Sequence, residues 1–231
     1  MKYINKVLKI EKVSVDDIVK KFNTPAYCYS YGQLKKNIQN FKKNFKSFTP
    51  LICFAVKSNT NVNLINEIKK FGLGADVVSI GELMIALRAG ISPKKIVFSG
   101  VGKTSNEISY AIDKKILLIN AESKSEIKEI ERIAKIKKKK VNIGVRLNPN
   151  TDAKTLTQIS TGKKENKFGV NEKVFFEILT YCKNSNYVKL RCLSVHIGSQ
   201  ILNHRPYESM ILNLLILVVV WEFHMTIKTK N

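Results

Sequence analysis

The 231-residue chain has few of the features that mark metal-binding, disulfide-stapled or dinucleotide-binding proteins. Its four cysteines include no C-x-x-C pair, which argues against a zinc ribbon or a disulfide framework and fits a reducing cytoplasm. No G-x-G-x-x-G motif follows a strand-like run, which weakens the case for a dinucleotide-binding fold. We therefore predict neither a metal site nor a bound dinucleotide.

Long apolar segments and acidic residues are also scarce. The longest largely apolar run, 210–221, is too short to span a bilayer, and residues 1–17 lack the continuous apolar core of a signal peptide. The chain has eighteen acidic and forty basic residues, which give a net charge of +22, but the lysines are spread along the sequence. We expect a cytoplasmic protein that binds neither membrane nor nucleic acid.

Short apolar runs alternate with amphipathic helical stretches, and the first five runs begin about 20 to 25 residues apart. This spacing is that of βα units with buried parallel strands. The runs are 51–56, 75–78, 95–98, 116–119, 141–147 and 190–197. Alternating units form either an open doubly wound sheet or a closed (β/α)8 barrel, and polar residues at the strand ends favour the barrel.

Capping-box patterns directly after three of these runs predict where helices begin, because a Ser or Thr followed three residues later by Glu satisfies free backbone amides. The pairs are Ser79 with Glu82, Thr104 with Glu107, and Ser123 with Glu126. Each helix would then return over the sheet to the next strand.

Two residues that end apolar runs could carry chemistry. Lys57 would emerge from a strand at the rim, where desolvation favours the neutral amine that attacks an aldehyde to give a Schiff base. A lysine that merely extends its amine to water is the alternative. His196 also ends a strand, followed by Gly198 and Ser199, which could offer donors to a phosphate. A structural histidine is equally compatible with the pattern.

Asp76, Ser99 and Arg146 are further polar residues at or near the ends of different strands. In a barrel they would converge on one rim with Lys57 and His196. Arg146 could counter a carboxylate or lie beside a cofactor ring, but it could also form a structural salt bridge with Asp76.

Several short motifs of the sequence resemble motifs of diaminopimelate decarboxylases of the alanine-racemase-like class and occur in the same order. They are TPAY at 24–27, FAVKSN at 54–59, GADVVS at 74–79, VFSGVGKT at 97–104, RLNP at 146–149, ISTG at 159–162, ENKFG at 165–169 and HIGSQI at 196–201. Ornithine and arginine decarboxylases share the lysine and histidine motifs, whereas SGVGKT at 99–104 and the pair STG at 160–162 with KFG at 167–169 resemble the diaminopimelate branch.

The resemblance implies an alanine-racemase-like (β/α)8 barrel that binds pyridoxal 5'-phosphate. Lys57 would hold the cofactor covalently, His196 would stack on its ring, Ser199 would lie near its phosphate, and Asp76 and Arg146 would lie close by. The implied reaction is decarboxylation of meso-2,6-diaminopimelate to L-lysine. A small amino-acid substrate and a family-like homodimer are the implied partners.

The resemblance covers about residues 20 to 207, so we expect a barrel truncated to about six βα units, without the family's C-terminal β domain. The expected organisation is an N-terminal extension, 1–23, a partial cofactor-binding barrel, 24–207, and a divergent apolar tail, 208–231, produced by a frameshift or truncation. The alternatives are a related ornithine- or arginine-type decarboxylase, and a non-catalytic cofactor-binding barrel or inactive fragment.

Overall fold

The computed structural model describes residues 1–45, 49–149 and 168–198. The chain divides into two compact units, one built on Met1–Pro50 and the other on the residues from Leu51 onward. The domain boundaries predicted at 23/24 and 207/208 remain predictions.

The first unit contains a small antiparallel sheet and two helices. Strands β1 (Lys2–Ile4) and β2 (Val7–Ile10) form a hairpin whose two-residue turn, Asn5–Lys6, has positive φ at both positions, and β3 (Val13–Ser14) pairs with β2. Two positive φ values give a turn whose twist matches that of the strands. Helix α1 (Val15–Phe22) and helix α2 (Tyr31–Lys43) follow, with Ser14 and Ser30 as N-caps.

In the described part of the second unit, the chain forms a parallel α/β structure with one sheet of six strands. The strands are β4 (Cys53–Ala55), β5 (Gly74–Val77), β6 (Ile96–Phe98), β7 (Leu118–Ala121), β8 (Val141–Leu147) and β9 (Val188–Val195). The helices are α3 (Val62–Lys70), α4 (Ile80–Arg88), α5 (Ser105–Lys114), α6 (Lys124–Ile136) and α7 (Glu172–Lys183). Each of the six predicted apolar runs overlaps a strand.

The strands lie side by side in chain order, and every neighbouring pair is parallel. A doubly wound sheet reverses its strand order at a switch point, whereas a barrel keeps it. The sequential order of all six strands therefore confirms the barrel-type arrangement and resolves the choice that periodicity left open.

Alternating residues divide the sheet into two faces. One face packs against the helices and is built of fully buried apolar side chains, including Val77, Phe98, Ile119 and Ile143. The other face, which we call the inner face, carries small, polar and apolar residues. Its members along the sheet include Ala55, Asp76, Val97, Asn120 and Gly144. The helix-packed face holds the fold together and leaves the inner face for other uses.

The three predicted caps, Ser79, Thr104 and Ser123, stand at the starts of helices α4, α5 and α6. In each, the side-chain hydroxyl accepts a hydrogen bond from the predicted backbone amide. Only Thr104 and Glu107 form the reciprocal capping box. The carboxylates of Glu82 and Glu126 instead accept from the amides of Val78 and Glu122, one residue before the cap. The prediction of a reciprocal capping box was therefore wrong for Glu82 and Glu126. Each carboxylate accepts from an amide one residue before the cap, directly after the preceding strand.

Candidate functional site

Four of the five predicted site residues lie at the carboxyl ends of the parallel strands. Lys57 stands in a short 3-10 turn, Val56–Ser58, directly after β4, and its side chain is exposed, so the expected desolvation of its amine was wrong. Asp76 and Arg146 are the last residues but one of β5 and β8, and His196 directly follows β9. Ser199 lies outside the described residues. The topology thus brings residues far apart in the sequence to one rim.

Asp76 is half-buried, and burial raises the pKa of its carboxyl above the ordinary 3.8. A hydrogen bond from Ser99 opposes this rise in pKa, as do the positive charges of Lys57 and His196. The carboxylate therefore lies within electrostatic reach of both predicted chemical residues. It places a negative charge near the amine of Lys57.

Partial desolvation lowers the pKa of His196 below the ordinary 6.5, and the positive charges of Arg146 and Lys57 lower it further. The carboxylate of Asp76 acts in the opposite direction but does not outweigh them. His196 therefore presents a neutral imidazole near neutral pH. A neutral aromatic ring can stack on a flat ligand without placing another positive charge beside Lys57.

A chain of hydrogen bonds crosses the inner face behind Asp76. The hydroxyl of Ser99 donates to Oδ1 of Asp76 at 2.6 Å, and Nδ2 of Asn120 donates to Ser99 Oγ at 3.1 Å. The direction of donation is fixed because an ionised carboxylate only accepts. Ser99 was expected at this rim from its place after a strand, whereas Asn120 was missed although it directly follows the predicted run 116–119.

Arg146 pairs with a residue that the sequence did not single out. Its Nη1 lies 3.0 Å from Oε1 of Glu122, whose other carboxylate oxygen accepts from the amide of Gly169 at 3.1 Å. The guanidinium also stands 4.9 Å from the centroid of the Phe168 ring. The alternative that Arg146 forms a salt bridge with Asp76 was therefore wrong.

Glu122 could have been found by its position. It directly follows β7 and precedes the helix cap Ser123, which is where a barrel presents functional side chains. The capping pattern drew attention to Glu126 instead. Glu122 is only 8% exposed, so its charge needs the arginine that faces it.

The residues present fit the pyridoxal 5'-phosphate that the resemblance implies. An exposed amine, an imidazole, a guanidinium and a carboxylate meet at one rim, which provides a nucleophile for an aldehyde and a positive surface for a phosphate. The Oδ1 of Asn120, on the inner face next to Gly144, is a buried acceptor without a partner among the described residues. The set of polar groups is suited to a polar aromatic ligand.

Two features are absent from the described ranges, 1–45, 49–149 and 168–198. These ranges contain no group of three or more His, Cys, Asp or Glu side chains arranged to hold a metal ion. They also contain no helix that combines the length and the apolar character needed to cross a membrane.

Comparison with protein families matched residues 31–230 to the pyridoxal-dependent decarboxylase pyridoxal-binding domain. The diaminopimelate decarboxylase of Helicobacter pylori strain J99 is 46% identical over 191 residues, which are 83% of this chain and 47% of that protein. The diaminopimelate decarboxylase of Aquifex aeolicus is 39% identical over 208 residues, which are 90% of this chain and 49% of that protein. The chain spans about half the length of these relatives.

A solved structure gives the same result in three dimensions. The crystal structure of Helicobacter pylori diaminopimelate decarboxylase complexed with L-lysine superposes with a TM-score of 0.86 at 41% identity. The match covers 89% of this chain and 52% of that one. The similarity therefore extends to the arrangement of the strands and helices.

Proposed function

Since this chain belongs to the pyridoxal-dependent decarboxylase family, we propose that its strand-end rim binds pyridoxal 5'-phosphate, with Lys57 as the attachment point. We further propose that the protein decarboxylates meso-2,6-diaminopimelate to L-lysine. The observation that carries the proposal is the position of four polar residues, Lys57, Asp76, Arg146 and His196, at or directly after the carboxyl ends of parallel strands. These strands, β4, β5, β8 and β9, belong to one sheet, so an amine, a carboxylate, a guanidinium and an imidazole share one rim.

The amine of Lys57 extends from a turn rather than from the strand itself. The hydroxyl of Ser58 donates to the carbonyl of Ala55 at 2.7 Å and closes this turn. The turn anchors the backbone of Lys57 while its side chain stays accessible. An accessible amine on a fixed backbone can reach an aldehyde without rearrangement of the sheet.

Asp76, His196 and Arg146 would set the charge and orientation of a ligand at the rim. Asp76 balances the positive charge of Lys57, and the neutral ring of His196 offers a flat surface. Arg146 is held on both sides, by Glu122 and by the ring of Phe168, so its charge stays in place. Ser199 is proposed as a phosphate contact from its place in the sequence.

Bound pyridoxal phosphate supplies an electron sink for the pair of electrons left when a substrate carboxylate departs as carbon dioxide. The chain's own residues contribute alignment, charge balance and a proton-carrying amine at Lys57. The substrate assignment is supported by relatives that are 39% to 46% identical and are diaminopimelate decarboxylases. Direct assay with diaminopimelate, ornithine and arginine separates this substrate from those of related decarboxylases.

The decisive experiment is titration of the full chain with pyridoxal 5'-phosphate, followed by borohydride reduction and mapping of the modified lysine by mass spectrometry. We expect a visible absorbance band and modification concentrated at Lys57. The Lys57→Met variant should lose the band, and Lys70→Met, which alters an exposed lysine on α3, should retain it.

Modification scattered over many lysines, equal in the parent and in Lys57→Met, would refute the assignment of Lys57. Binding at Lys57 without carbon dioxide release from any of the three amino acids would leave a cofactor-binding barrel and reject the proposed decarboxylation by this chain.

A further inference from the structure

Lys103 is a buried cation with all of its donors engaged. Its side chain is 1% exposed, and its ammonium donates to the carbonyl of Gly100 at 2.5 Å, the carbonyl of Asn120 at 2.7 Å and Oε1 of Glu126 at 2.7 Å. An ammonium has three hydrogens, so these acceptors use the whole group. A lysine at a strand-end loop is a common phosphate ligand, but this one has no donor left for a phosphate.

One branch of contacts leads from Lys103 to Arg146. Glu126, which takes one bond from Lys103, accepts with its other oxygen from the amide of Glu122 at 2.9 Å. The carboxylate of Glu122 then holds Arg146 Nη1 at 3.0 Å and the amide of Gly169 at 3.1 Å. Lys103 thus fixes the backbone from which the partner of Arg146 projects.

A second branch leads from Lys103 to Asp76. Lys103 binds the carbonyl of Asn120, whose side chain donates to Ser99, and it binds the carbonyl of Gly100, the residue after Ser99. Ser99 in turn donates to Asp76 at 2.6 Å. The ammonium therefore fixes both backbone segments that carry the hydrogen-bond chain behind Asp76.

We propose that Lys103 is a positioning residue that sets the orientation of Asp76 and Arg146 at the strand-end rim. The proposal rests on the proposed function, because it assigns Lys103 a role in building that same site. One cation joins the loop after β6, the end of β7 and the start of α6, and the side chains of two rim residues depend on those segments. Lys103 itself touches neither the rim nor any ligand that would bind there.

The test must separate positioning from simple stabilisation of the fold. Lys103→Met leaves Glu126 buried without its cation, so this variant is expected to lose stability for that reason alone. The double variant Lys103→Met with Glu126→Gln removes both charges and keeps an oxygen that can accept from the amide of Glu122. Lys124→Met is the matched control, because Lys124 also pairs with a helix glutamate, Glu177, at 2.7 Å but both side chains are largely exposed.

Two readouts are measured on the parent, the double variant and the control. The first is amide hydrogen exchange at Gly169 by NMR without cofactor, since this amide donates to Glu122. The second is the dissociation constant for pyridoxal 5'-phosphate. In the double variant we expect exchange about tenfold faster and cofactor binding about tenfold weaker, a typical coupling within one hydrogen-bond network, with a urea midpoint closer to that of the parent than the midpoint of Lys103→Met.

Exchange and affinity equal to the parent in a double variant that folds normally would overturn the proposal and leave Lys103 as a stabilising residue only. The same changes in Lys124→Met would also overturn it, because they would reflect loss of any lysine. If the parent fails to bind the cofactor at Lys57, the proposed function falls, and Gly169 exchange alone then decides whether Lys103 orients the Glu122 and Arg146 pair.

Discussion

A Cβ atom at position 144 would lie 2.0 Å from Oδ1 of Asn120, so Gly144 and Asn120 share one space on adjacent strands. The two residues are paired in the register of β7 and β8. Asn120 uses its amide nitrogen to bind Ser99, which fixes the direction in which its oxygen points. The absence of a side chain at position 144 is therefore a condition for the hydrogen-bond chain that ends on Asp76.

Gly144→Ala should destabilise the protein and also disturb the hydrogen-bond chain that runs from Asn120 through Ser99 to Asp76. The added methyl displaces the Asn120 side chain in a tightly packed strand pair, which costs about 1 to 3 kcal/mol, as overpacking typically does. Urea denaturation gives the free energy of unfolding. Gly81→Ala is the control, because a Cβ at position 81 in α4 meets its nearest atom at 3.8 Å and alanine favours a helix. Equal stability of Gly144→Ala and the parent would show that Asn120 can move at little cost.

Removing Arg146 alone should cost more than removing it together with the charge of Glu122. Arg146→Met leaves the Glu122 carboxylate, which is 5% exposed, with the amide of Gly169 as its donor among the described residues. Loss of one partner of a buried ion pair typically costs about 3 to 5 kcal/mol. Arg146→Met with Glu122→Gln should recover most of that loss. The free energies of unfolding of the parent, both single variants and the double variant form the cycle that measures it.

The exposed pair Lys70 and Glu67 on α3 provides the comparison for this cycle. Its atoms approach to 2.6 Å, closer than those of Arg146 and Glu122, yet the lysine side chain is 57% exposed. Its coupling should stay below about 1 kcal/mol, as for surface pairs generally. Equal coupling in the two pairs would contradict the role that we assign to burial.

Asp76→Asn should make the protein more stable near neutral pH. Burial raises the pKa of Asp76 above 3.8 in the folded state, so the unfolded chain loses this proton more readily. The free energy of unfolding therefore falls as pH rises from 3.8 through the folded pKa, and asparagine removes that fall. The advantage of the variant should vanish as pH drops below 3.8, as urea denaturation across the pH range would reveal.

Asp113→Asn is a control of opposite sign. Hydrogen bonds from Lys137 and Lys139 lower the pKa of Asp113, so its ionised form stabilises the folded state above the ordinary 3.8, and this contribution is lost as pH falls through the lowered pKa. The variant should be less stable than the parent near neutral pH. A stability loss in Asp76→Asn that matched the loss in Asp113→Asn would mean that Asp76 stabilises the fold and that burial is not its dominant influence.

The sheet could be predicted because its signal is local and repeated. Each strand is a short apolar run, and Ser79, Thr104 and Ser123 mark the helices that follow three of them. The order of the strands was a separate matter, because the periodicity of βα units is the same in a barrel and in a doubly wound sheet. The resemblance and the strand-end polar residues favoured the barrel.

The partners of the site residues could not be predicted, since they are set by strand register and by helix position. Glu122 and Arg146 are separated by a whole βα unit, and nothing local to either residue indicates the other. Asn120 directly followed a predicted strand, but nothing local indicated its hydrogen-bond partner, and Lys103 was one of many lysines. The strand register places Asn120 in the hydrogen-bond chain to Asp76, and burial distinguishes Lys103 from the exposed lysines.

Backbone hydrogen bonds join the end of β8 to Val170. Asn148 N donates to the carbonyl of Val170, and Val170 N donates to the carbonyl of Arg146. The amide of Gly169, the preceding residue, donates to Glu122. Because these bonds are made by main-chain donors, a change of side chain at position 170 leaves the anchor in place, whereas proline there would remove one of its two backbone bonds.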